Sequence, residues 1–417
     1  MLQSPDIKYK QLNGQEIIIM NKKVMVAGHI CLDITPKFPD TTKPNLAEIF
    51  KPGKLTNVDN AILSLGGPVP NTGMAMARIG ADVLLNGKVS NDSFGQIIKE
   101  LLGPKLARSF STVTGQNTSY SVVMAVPGID RFVLHNPATN DTFGSEDINY
   151  EDAKNCCLFH FGYPNLMKRI YENDGSELTK IYKKVKSLGL TTCLDMSFID
   201  PASEAGNADW LKIMRNTLPY VDMFMPSIEE VTFMLDRKFF DKRQTQAAED
   251  DPVFFYQPQD YSNISKILLE MGVKIVALKS GINGYYLRTA SADKIAQLGK
   301  ACPADIDIWS NRELWCPSFK VNKFASGIGA GDATIAGFLC ALMNDSSPTQ
   351  SLRIANTVGC QNVQTYDTLS GIMDWQTTLT QAADMSRPQN PLQINSKGWN
   401  YDQNDQLFTG PNERSKP

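Results

Sequence analysis

A glycine-rich turn that runs into an acidic residue is the feature of this sequence best suited to chemistry. In the segment FASGIGAGDATIAGFLCALM (324–343), Gly327, Gly329 and Gly331 precede Asp332 and an apolar stretch typical of a helix. Glycines let the backbone approach an anion closely, and a helix start offers free N–H groups and the positive end of the helix dipole. The pattern predicts a phosphate-binding turn with a carboxylate at its edge.

Asp332 at this position suits a general base. Phosphoryl transfer needs positioned reactants, stabilised charge and one group that accepts the proton of the attacking hydroxyl. Asp is also a favoured N-cap residue, so helix capping is the alternative to catalysis. The glycine spacing overlaps the G-x-G-x-x-G pattern of dinucleotide-binding folds. However, the turn lies late in the chain, and no acidic residue ends a second strand about 20 positions further on, which disfavours a nicotinamide site.

The elements that would hold this turn in place alternate along the chain. Short apolar runs typical of buried strands cover residues 23–30, 82–85, 158–161, 191–194, 223–225 and 275–279. Segments with helical periodicity lie at residues 72–79, 177–188, 208–218, 228–235 and 264–271. Strands that alternate with helices predict an α/β fold with a doubly wound, mainly parallel sheet flanked by helices.

One stretch departs from this alternation. Residues 112–136 contain two runs with strand-like alternation around Pro127 and Gly128. This pattern is typical of antiparallel strands joined by a turn, and it predicts a small antiparallel β lid that covers a site. We expect the lid to come from about residues 34–65 and 112–136.

Composition shifts divide the rest of the chain. We expect an N-terminal extension at residues 1–22, a main domain at residues 23–386 and a C-terminal tail at residues 387–417. The tail is rich in Asn, Gln, Pro and Lys, as in segments that do not pack into a core. Two polar segments inside the domain, residues 237–260 and 293–311, are expected to be surface insertions.

Composition also limits the classes of partner. The chain has 417 residues, of which 42% are hydrophobic and 20% charged, and a net charge of -3, as in ordinary soluble globular proteins. This charge provides no field for nucleic acid or an anionic membrane. No stretch approaches about 18 apolar residues, and residues 1–22 lack the apolar core of a secretory signal. We therefore expect a cytoplasmic protein with a small-molecule substrate.

The eight cysteines are scattered, mostly in apolar segments, without C-x-x-C spacing. In a cytoplasmic chain this distribution predicts reduced thiols in the core rather than disulfides. His29 lies near Cys31, and His160 lies near Cys157, but neither neighbourhood supplies the ligand set of a zinc site. Local sequence therefore does not predict a zinc site.

Two signatures connect this sequence with a known family. The segment GIGAGDATIAGF (327–338) resembles the second signature of the ribokinase-like (PfkB) carbohydrate kinases, D-T-x-G-A-G-D followed by a helix. The segment GGPVPN (66–71), with the TGMAMARIGADVLLNGKVSNDSFG that follows it, is similar to the first signature, G-G-x-x-x-N, a helix, R-L-G and G-x-x-G-x-D-x-x-G. Both stand in the family's order, and the resemblance covers about residues 23–384.

The resemblance implies a ribokinase-like fold and a reaction. That reaction is transfer of the γ-phosphate of ATP, with Mg²⁺, to a hydroxyl of a sugar or sugar-like small molecule. By the same resemblance Asp332 is the catalytic base, and Gly329, Ala330 and Gly331 form the anion hole.

On the acceptor side, the resemblance implies that Asp33 and Asn71 bind substrate hydroxyls. A carboxylate accepts two hydroxyls, and an amide both donates and accepts. Gly67, together with Gly66, is implied to be the hinge on which the lid closes over the substrate. From the residues alone, the alternatives are an exposed carboxylate at a strand end for Asp33 and a helix N-cap for Asn71.

On the nucleotide side, Lys279, Gly281 and Gly284 lie in a segment that resembles the turn along the nucleotide's phosphates. Asn356 matches a position that lines the adenine pocket. Lys279 is equally a charge at a strand end, and Asn356 a helix-surface amide. Glu230 stands at the acid of the family's N-x-x-E and is implied to hold magnesium through water.

Three serines depart from the family pattern. Ser90 replaces a glycine, Ser227 replaces the asparagine of N-x-x-E, and Ser326 replaces the first aspartate of D-T-x-G-A-G-D. That aspartate helps to bind potassium in many relatives, so Ser326 predicts weak or absent use of a monovalent cation. A nucleoside acceptor and an inactive ligand-binding protein remain alternatives. The family also suggests a homodimer through the lid.

Overall fold

The computed structural model describes residues 8–12, 15–19, 22–39, 45–128 and 131–414. Its strands are β1 Lys8–Leu12, β2 Gln15–Ile19, β3 Lys23–Gly28, β4 Cys31–Pro36, β5 Ala61–Gly66, β6 Asp82–Asn86, β7 Lys88–Ser90, β8 Ser111–Val113, β9 Tyr120–Met124, β10 Phe132–Asn136, β11 Leu158–Gly162, β12 Thr191–Asp195, β13 Met223–Phe224, β14 Ile275–Lys279, β15 Tyr285–Thr289, β16 Glu313–Cys316, β17 Asn400–Asp402 and β18 Leu407–Thr409. The main sheet has the order β17-β18-β16-β15-β14-β13-β12-β11-β3-β6. Neighbouring strands are parallel from β6 to β14 and antiparallel from β14 to β17.

Helices cover both faces of the main sheet. They are α1 Leu46–Ile49, α2 Pro68–Ile79, α3 Ser93–Leu106, α4 Tyr150–Ala153, α5 Lys168–Ser187, α6 Trp210–Thr217, α7 Ile228–Leu235, α8 Arg237–Ala247, α9 Pro258–Glu270, α10 Ala292–Ile295, α11 Ile306–Trp309, α12 Ala330–Met343, α13 Pro348–Asn362 and α14 Trp375–Ala383. Strand β3 shows why two layers form, because successive side chains of a strand point to opposite faces. Val24 and Val26 pack into one core with α2, α12 and α13, whereas Met25 and Ala27 pack into the other with α5, α6 and α9.

The doubly wound α/β prediction is confirmed, and several boundaries move. Helix α2 begins at Pro68, four positions before the periodicity suggested, because proline suits the first turn of a helix. Helix α9 likewise begins at Pro258 and extends further toward the N-terminus than expected. The parallel strands lie within a residue or two of the apolar runs.

The lid is a four-stranded sheet in the order β10-β9-β4-β5. Strands β9 and β10 form the expected antiparallel pair, and β4 pairs with β5 in the same way, but β4 joins β9 in parallel, so the lid is a mixed sheet rather than an antiparallel one. Alternation in sequence indicates a strand without naming its partner. The lid also begins earlier than residue 34, at Cys31, and residues 112–113 belong to a separate β7–β8 pair. Residues 40–44 and 129–130 of the predicted lid lie outside the described residues.

The two polar segments are not surface insertions throughout. In the first, Phe240 and Val253 are buried against the core beneath α7 and α9. In the second, Leu298 and Trp309 are fully buried. The prediction rested on average polarity, whereas a few large apolar side chains are enough to anchor a polar segment.

Part of the predicted tail belongs to the main sheet. Strand β18 pairs with β16, and β17 pairs with β18, so the folded domain extends well beyond residue 386. Glu313 on β16 is fully buried, and its Oε2 accepts hydrogen bonds from Asn412 N at 2.8 Å and Asn412 Nδ2 at 2.7 Å. Low average hydropathy obscured these strands because they are only three residues long.

The eight cysteines are all free, as expected. Most are buried, and burial raises the pKa of thiols such as Cys193 and Cys340. Within the described ranges, the chain contains no helix that is both long and apolar enough to cross a bilayer. Strands β1 and β2 of the N-terminal extension form an antiparallel pair, while residues 1–7, 13–14 and 20–21 lie outside the described residues.

Candidate active site

Side chains from several strands converge at one edge of the main sheet. Tyr163 follows β11, Asp195 ends β12, Glu230 lies in the first turn of α7 after β13, and Lys279 ends β14. The carboxyl ends of parallel strands meet at one edge, which is where α/β sheets bind ligands. The Asp332 carboxylate reaches this edge from α12, with its Oδ2 2.9 Å from the Tyr163 hydroxyl.

Asp332 lies in the first turn of α12, which follows Gly329. Gly329 has φ +69°, a left-handed conformation that favours glycine. The Asp332 carboxylate does not cap this helix. It accepts hydrogen bonds from Asn71 Nδ2 at 3.1 Å, Thr72 Oγ1 at 3.1 Å and the Tyr163 hydroxyl at 2.9 Å. The capping alternative for Asp332 is therefore wrong.

Three buried carboxylates share one ammonium group near the start of α12. Lys279 Nζ lies 2.6 Å from Asp195 Oδ1 and 3.9 Å from Glu230 Oε2. Burial raises the pKa of all three carboxyl groups, Asp332 included, and the Lys279 charge partly opposes this rise. Burial alone would lower the pKa of Lys279, but the carboxylates, Asp195 first, hold it above its ordinary value. The surplus of acidic groups suits a bound cation.

Lys279 is more than a charge at a strand end, because it also borders the residues predicted to form an anion hole. A Cβ added at Gly331 would stand 3.2 Å from Lys279 Cδ and 3.5 Å from its Nζ. Gly329, Ala330 and Gly331 form the N-terminal end of α12, where backbone N–H groups have no partner within the helix. Lys279 and these N–H groups thus place positive charge at one location.

Glu230 has a structural partner that the family pattern did not indicate. Its Oε2 accepts from Ser227 N at 2.6 Å, and Ser227 Oγ accepts from Glu230 N at 3.1 Å. This reciprocal capping box starts α7. The serine that replaces the family's asparagine therefore positions the Glu230 carboxylate beside Lys279.

Magnesium would find suitable ligands at this edge. Asp195 Oδ2 is buried and has no hydrogen-bond partner among the described residues. Glu230 Oε2 lies 3.9 Å from the same Lys279 Nζ that contacts Asp195. Carboxylate oxygens are the ligands that magnesium prefers, often through water. The donor set therefore fits a magnesium ion that arrives with a nucleotide.

On the predicted acceptor side, two glycines lie so close to neighbouring side chains that a larger residue would not fit. Asp33 lies on lid strand β4, where a Cβ added at Gly66 would stand 2.4 Å from Asp33 Oδ2. Gly67 has φ +93°, and a Cβ there would stand 2.6 Å from His29 Nδ1. Burial raises the pKa of Asp33, and a hydrogen bond from Cys31 Sγ to Asp33 Oδ1 at 3.3 Å opposes the rise.

Asn71 joins the acceptor side to the phosphate side. The N-cap of α2 is Gly67, so the capping alternative for Asn71 is wrong. Asn71 Nδ2 donates to Asp332, while Asn71 Oδ1 is buried and has no partner within the described part of the chain. An unsatisfied buried amide oxygen is costly, and a hydroxyl of a bound acceptor would satisfy it.

Arg131 connects the lid with the glycine-rich turn. Its Nη1 lies 3.5 Å from Ser326 Oγ. Its charge also lowers the pKa of Asp33, against the larger effect of burial. A guanidinium group therefore lies between the predicted acceptor carboxylate and the predicted phosphate-binding turn.

The other predicted nucleotide contacts lie in the turn after β14 and on α13. Gly281 and Gly284 have positive φ and flank a 3₁₀ turn after β14. A Cβ at Gly284 would stand 2.1 Å from the Cys316 oxygen. Asn356 is buried and donates to the same oxygen at 2.9 Å, so the helix-surface alternative is wrong. Their roles toward a nucleotide stay predictions.

Sequence reasoning missed three side chains of this site. Thr72 directly follows Asn71 in the first signature, and Tyr163 and Asp195 stand where buried strands end. That position was the available signal, because strand ends in this fold face the ligand. Tyr163 also has φ +60°, uncommon for a residue other than glycine.

Comparisons with known proteins support the same fold and family. The family model described as pfkB family carbohydrate kinase matches residues 21–375. An uncharacterized sugar kinase of Archaeoglobus fulgidus is 22% identical over 300 residues, which are 72% of this chain and 98% of that protein. A probable chloroplastic fructokinase of Arabidopsis thaliana is 23% identical over 326 residues, covering 72% of this chain and 69% of the relative.

Solved structures of sugar kinases share the fold. Fructokinase from Xylella fastidiosa with bound ATP has a TM-score of 0.64 at 15% identity, covering 87% of this chain and 99% of that one. Arabidopsis thaliana ribokinase complexed with ribose and ATP has a TM-score of 0.62 at 16% identity, with the same coverage. Since the family model spans both glycine signatures and the sheet between them, the chain belongs to the pfkB family of carbohydrate kinases.

Proposed function

We propose that this chain transfers the γ-phosphate of ATP to a hydroxyl group of a sugar or sugar-like small molecule. The observation that carries the proposal is the position of Asp332, buried at the start of α12 and held by Asn71 from α2. This carboxylate adjoins a helix start suited to phosphate and a helix assigned to the acceptor. Family membership and the sugar-kinase names of two relatives support the same reaction.

Each side chain then has a distinct role. Asp332 accepts the proton of the attacking hydroxyl, while the backbone N–H groups of Gly329, Ala330 and Gly331 stabilise charge on the phosphoryl group. Asp33 orients the acceptor from the lid. Closure of the lid excludes water, which would otherwise compete for the phosphate.

Lys279, Asp195 and Glu230 form the proposed phosphate and magnesium side. The raised pKa of Lys279 keeps its ammonium group charged for contact with phosphate oxygens. Bound magnesium would neutralise part of the nucleotide's charge. Two similar structures contain ATP, and a putative ribokinase from E. coli contains ATP with magnesium, which supports this pair of cofactors.

The identity of the acceptor is tested by ATP consumption. ADP formation is measured with ATP, magnesium and a panel of pentoses, hexoses, sugar acids, polyols and nucleosides. We expect acceptor-dependent ADP formation with a sugar or polyol. Turnover with nucleosides alone would establish the alternative acceptor class. Saturable binding of a sugar without any turnover would favour the inactive ligand-binding alternative.

We also propose a homodimer through the lid. The lid sheet exposes several large apolar side chains, divided between its two faces, namely Ile62 and Leu63 on β5 and Val133 and Leu134 on β10. Contiguous exposed apolar patches often mark an interface. Light scattering that gives a monomer mass at micromolar concentration would contradict the dimer. A cytoplasmic location stays a prediction, which free cysteines favour and cell fractionation tests.

A further inference from the structure

The base of the lid brings together two imidazoles and a thiol that are distant in the sequence. His29 follows β3, Cys31 begins β4, and His135 lies on β10. One ligand atom from each, two ring nitrogens and a sulfur, all lie within 4.8 Å of one another. The chain has three histidines, and two of them meet here. Local sequence does not indicate this cluster, because His135 is distant in the sequence and lies near the other two residues only through the fold of the lid.

The spacing of the two imidazoles suits a shared metal ion. His29 Nε2 lies 3.3 Å from His135 Nε2. Two nitrogens that each bind a tetrahedral Zn²⁺ at about 2.0–2.1 Å stand about 3.3–3.4 Å apart. An ordinary hydrogen bond between nitrogens would also hold the rings near this distance. The third ligand atom, Cys31 Sγ, distinguishes the cluster from a simple pair of rings.

Both rings can present a lone pair to the centre of the cluster. His135 Nδ1 lies 3.1 Å from Ser121 Oγ, which can accept a hydrogen bond from an Nδ1–H group and so leave the Nε2 lone pair free to bind a metal. His29 Nδ1 is buried and has no partner among the described residues, so no acceptor or donor at Nδ1 restricts the tautomer of this ring. Burial lowers the pKa of His29 to about 3, which keeps this ring neutral.

The site is also reachable. His29 and Cys31 are buried, but His135 is exposed on the lid, so an ion can enter from that side without unfolding of the core. Three protein ligands leave a fourth position for water or for another oxygen. Asp33 Oδ1 lies 3.3 Å from Cys31 Sγ and is the nearest carboxylate described for this cluster.

We propose that His29, Cys31 and His135 form a binding site for a divalent transition-metal ion of the Zn²⁺ class. Imidazole nitrogen and thiolate sulfur select zinc and its neighbours over magnesium, which takes oxygen ligands. The site is therefore chemically distinct from the magnesium ligands around Asp195. Binding displaces the Cys31 thiol proton to solvent as the sulfur–metal bond forms, so affinity rises with pH.

An ion at this site would join the lid to the core. It would connect β10, the outer strand of the lid sheet, to the segment that follows β3 in the main sheet. It would also lie beside Asp33, which binds the acceptor if the proposed function holds. We therefore infer that a zinc ion inhibits the kinase by competing with the acceptor and by restricting the movement of the lid.

Cobalt and zinc binding to the full-length chain test the site directly and need no activity. With Co²⁺ as probe, the wild type should show absorption bands of tetrahedral coordination and of a thiolate–cobalt bond, and zinc should remove them. Loss of an outer-shell partner costs about 10–100-fold in metal affinity, so Cys31→Ser or His135→Gln should weaken zinc binding by at least about 100-fold. His135→Gln changes an exposed residue and keeps the fold testable.

The chain offers a matched control for the thiol. His160 Nδ1 lies 3.2 Å from Cys193 Sγ, a buried histidine–cysteine contact outside the proposed site. Cys193→Ser should leave zinc affinity within about twofold of the wild type, because it removes no proposed ligand. Equal zinc affinity in wild type, Cys31→Ser and His135→Gln would overturn the site. An absence of cobalt bands in the wild type would identify the contact as a hydrogen bond between two rings.

The inhibition is measured separately, with the acceptor that the ATP assay identifies. Zinc should raise the apparent KM for the acceptor in the wild type, and His135→Gln should remove this effect. Tight zinc binding in a chain without kinase turnover would refute the proposed function and leave the metal site standing. Zinc binding that leaves the acceptor KM unchanged would overturn the inhibitory role.

Discussion

Replacement of Asp332 by Asn tests the proposed base with little change in shape. Asp332 Oδ2 accepts from Asn71 and Tyr163, and Oδ1 accepts from Thr72. An asparagine can keep all three contacts, because its carbonyl oxygen can face the amide and the phenol. Its NH₂ group can then donate to the Thr72 hydroxyl, which accepts as well as donates. The substitution removes the basic charge and preserves the hydrogen bonds.

We therefore expect Asp332→Asn to lower the activity without lowering the stability. Loss of a general base lowers kcat by roughly 10² to 10⁴. That loss corresponds to about 2.7 to 5.4 kcal/mol of barrier. Burial raises the pKa of Asp332, and Asp195 and Glu230 add negative charge nearby, so the folded state disfavours the ionised form. Removal of that charge should leave Tm unchanged or raise it.

Initial rates with saturating ATP, magnesium and acceptor give kcat, and calorimetry of the same preparation gives Tm. Asp374→Asn is a matched control, because Asp374 Oδ1 caps α14 through Thr377 N at 3.0 Å, away from the site. The control should keep wild-type kcat. Near-normal turnover of Asp332→Asn would refute the assignment of the base. A large fall in its Tm would refute the hydrogen-bond reasoning.

Three further predictions concern other parts of the site. Asp33→Ala should raise the acceptor KM by at least about tenfold and leave ATP affinity, measured by titration calorimetry, within about twofold of the wild type. Selective loss of nucleotide binding would contradict the division of the site into acceptor and nucleotide sides. Tyr163→Phe should move the acidic limb of the kcat–pH profile to higher pH, because the hydrogen bond from the phenol lowers the pKa of Asp332 and the base works only when deprotonated. An acidic limb at the wild-type pH would contradict this prediction. Rates in potassium, sodium and a bulky organic cation at equal ionic strength should differ less than about twofold, since the Arg131 guanidinium lies 3.5 Å from Ser326, where relatives carry an aspartate; a potassium-specific rise of about tenfold would refute this.

Much of the parallel half of the sheet could be predicted from the sequence. Runs such as Ile275–Lys279 are apolar on both faces because helices cover both sides, and their ends can be read to within a residue or two. The other half lacked this signal. Strands β17 and β18 are only three residues long and lie in a polar tail, so only their pairing in space identifies them.

The residues of the site also fall into those that the sequence predicts and those that only the structure identifies. Asp332 and Asn71 stand in glycine-rich signatures, where the backbone requirement itself marks the position. Asp195 ends β12 and Tyr163 follows β11, and no special residue marks either position in the sequence, so their importance comes from the strand order. The family pattern predicts Glu230, but it gives Ser227 only as a departure from N-x-x-E, whereas Ser227 completes a capping box with Glu230. A reciprocal contact of this kind becomes apparent only when the positions of both residues in the structure are known.

The two C-terminal strands also protect the sheet from self-association. Strand β16 would otherwise be an edge strand with unpaired N–H and C=O groups, which favour pairing with a second chain. Strand β18 occupies that edge, and β17, the new outermost strand, is too short to template much further addition. A chain cut after residue 375, where the family match ends, would lose this protection. It would also leave the Glu313 carboxylate without the donors of Asn412, so such a fragment should be less soluble than the full chain.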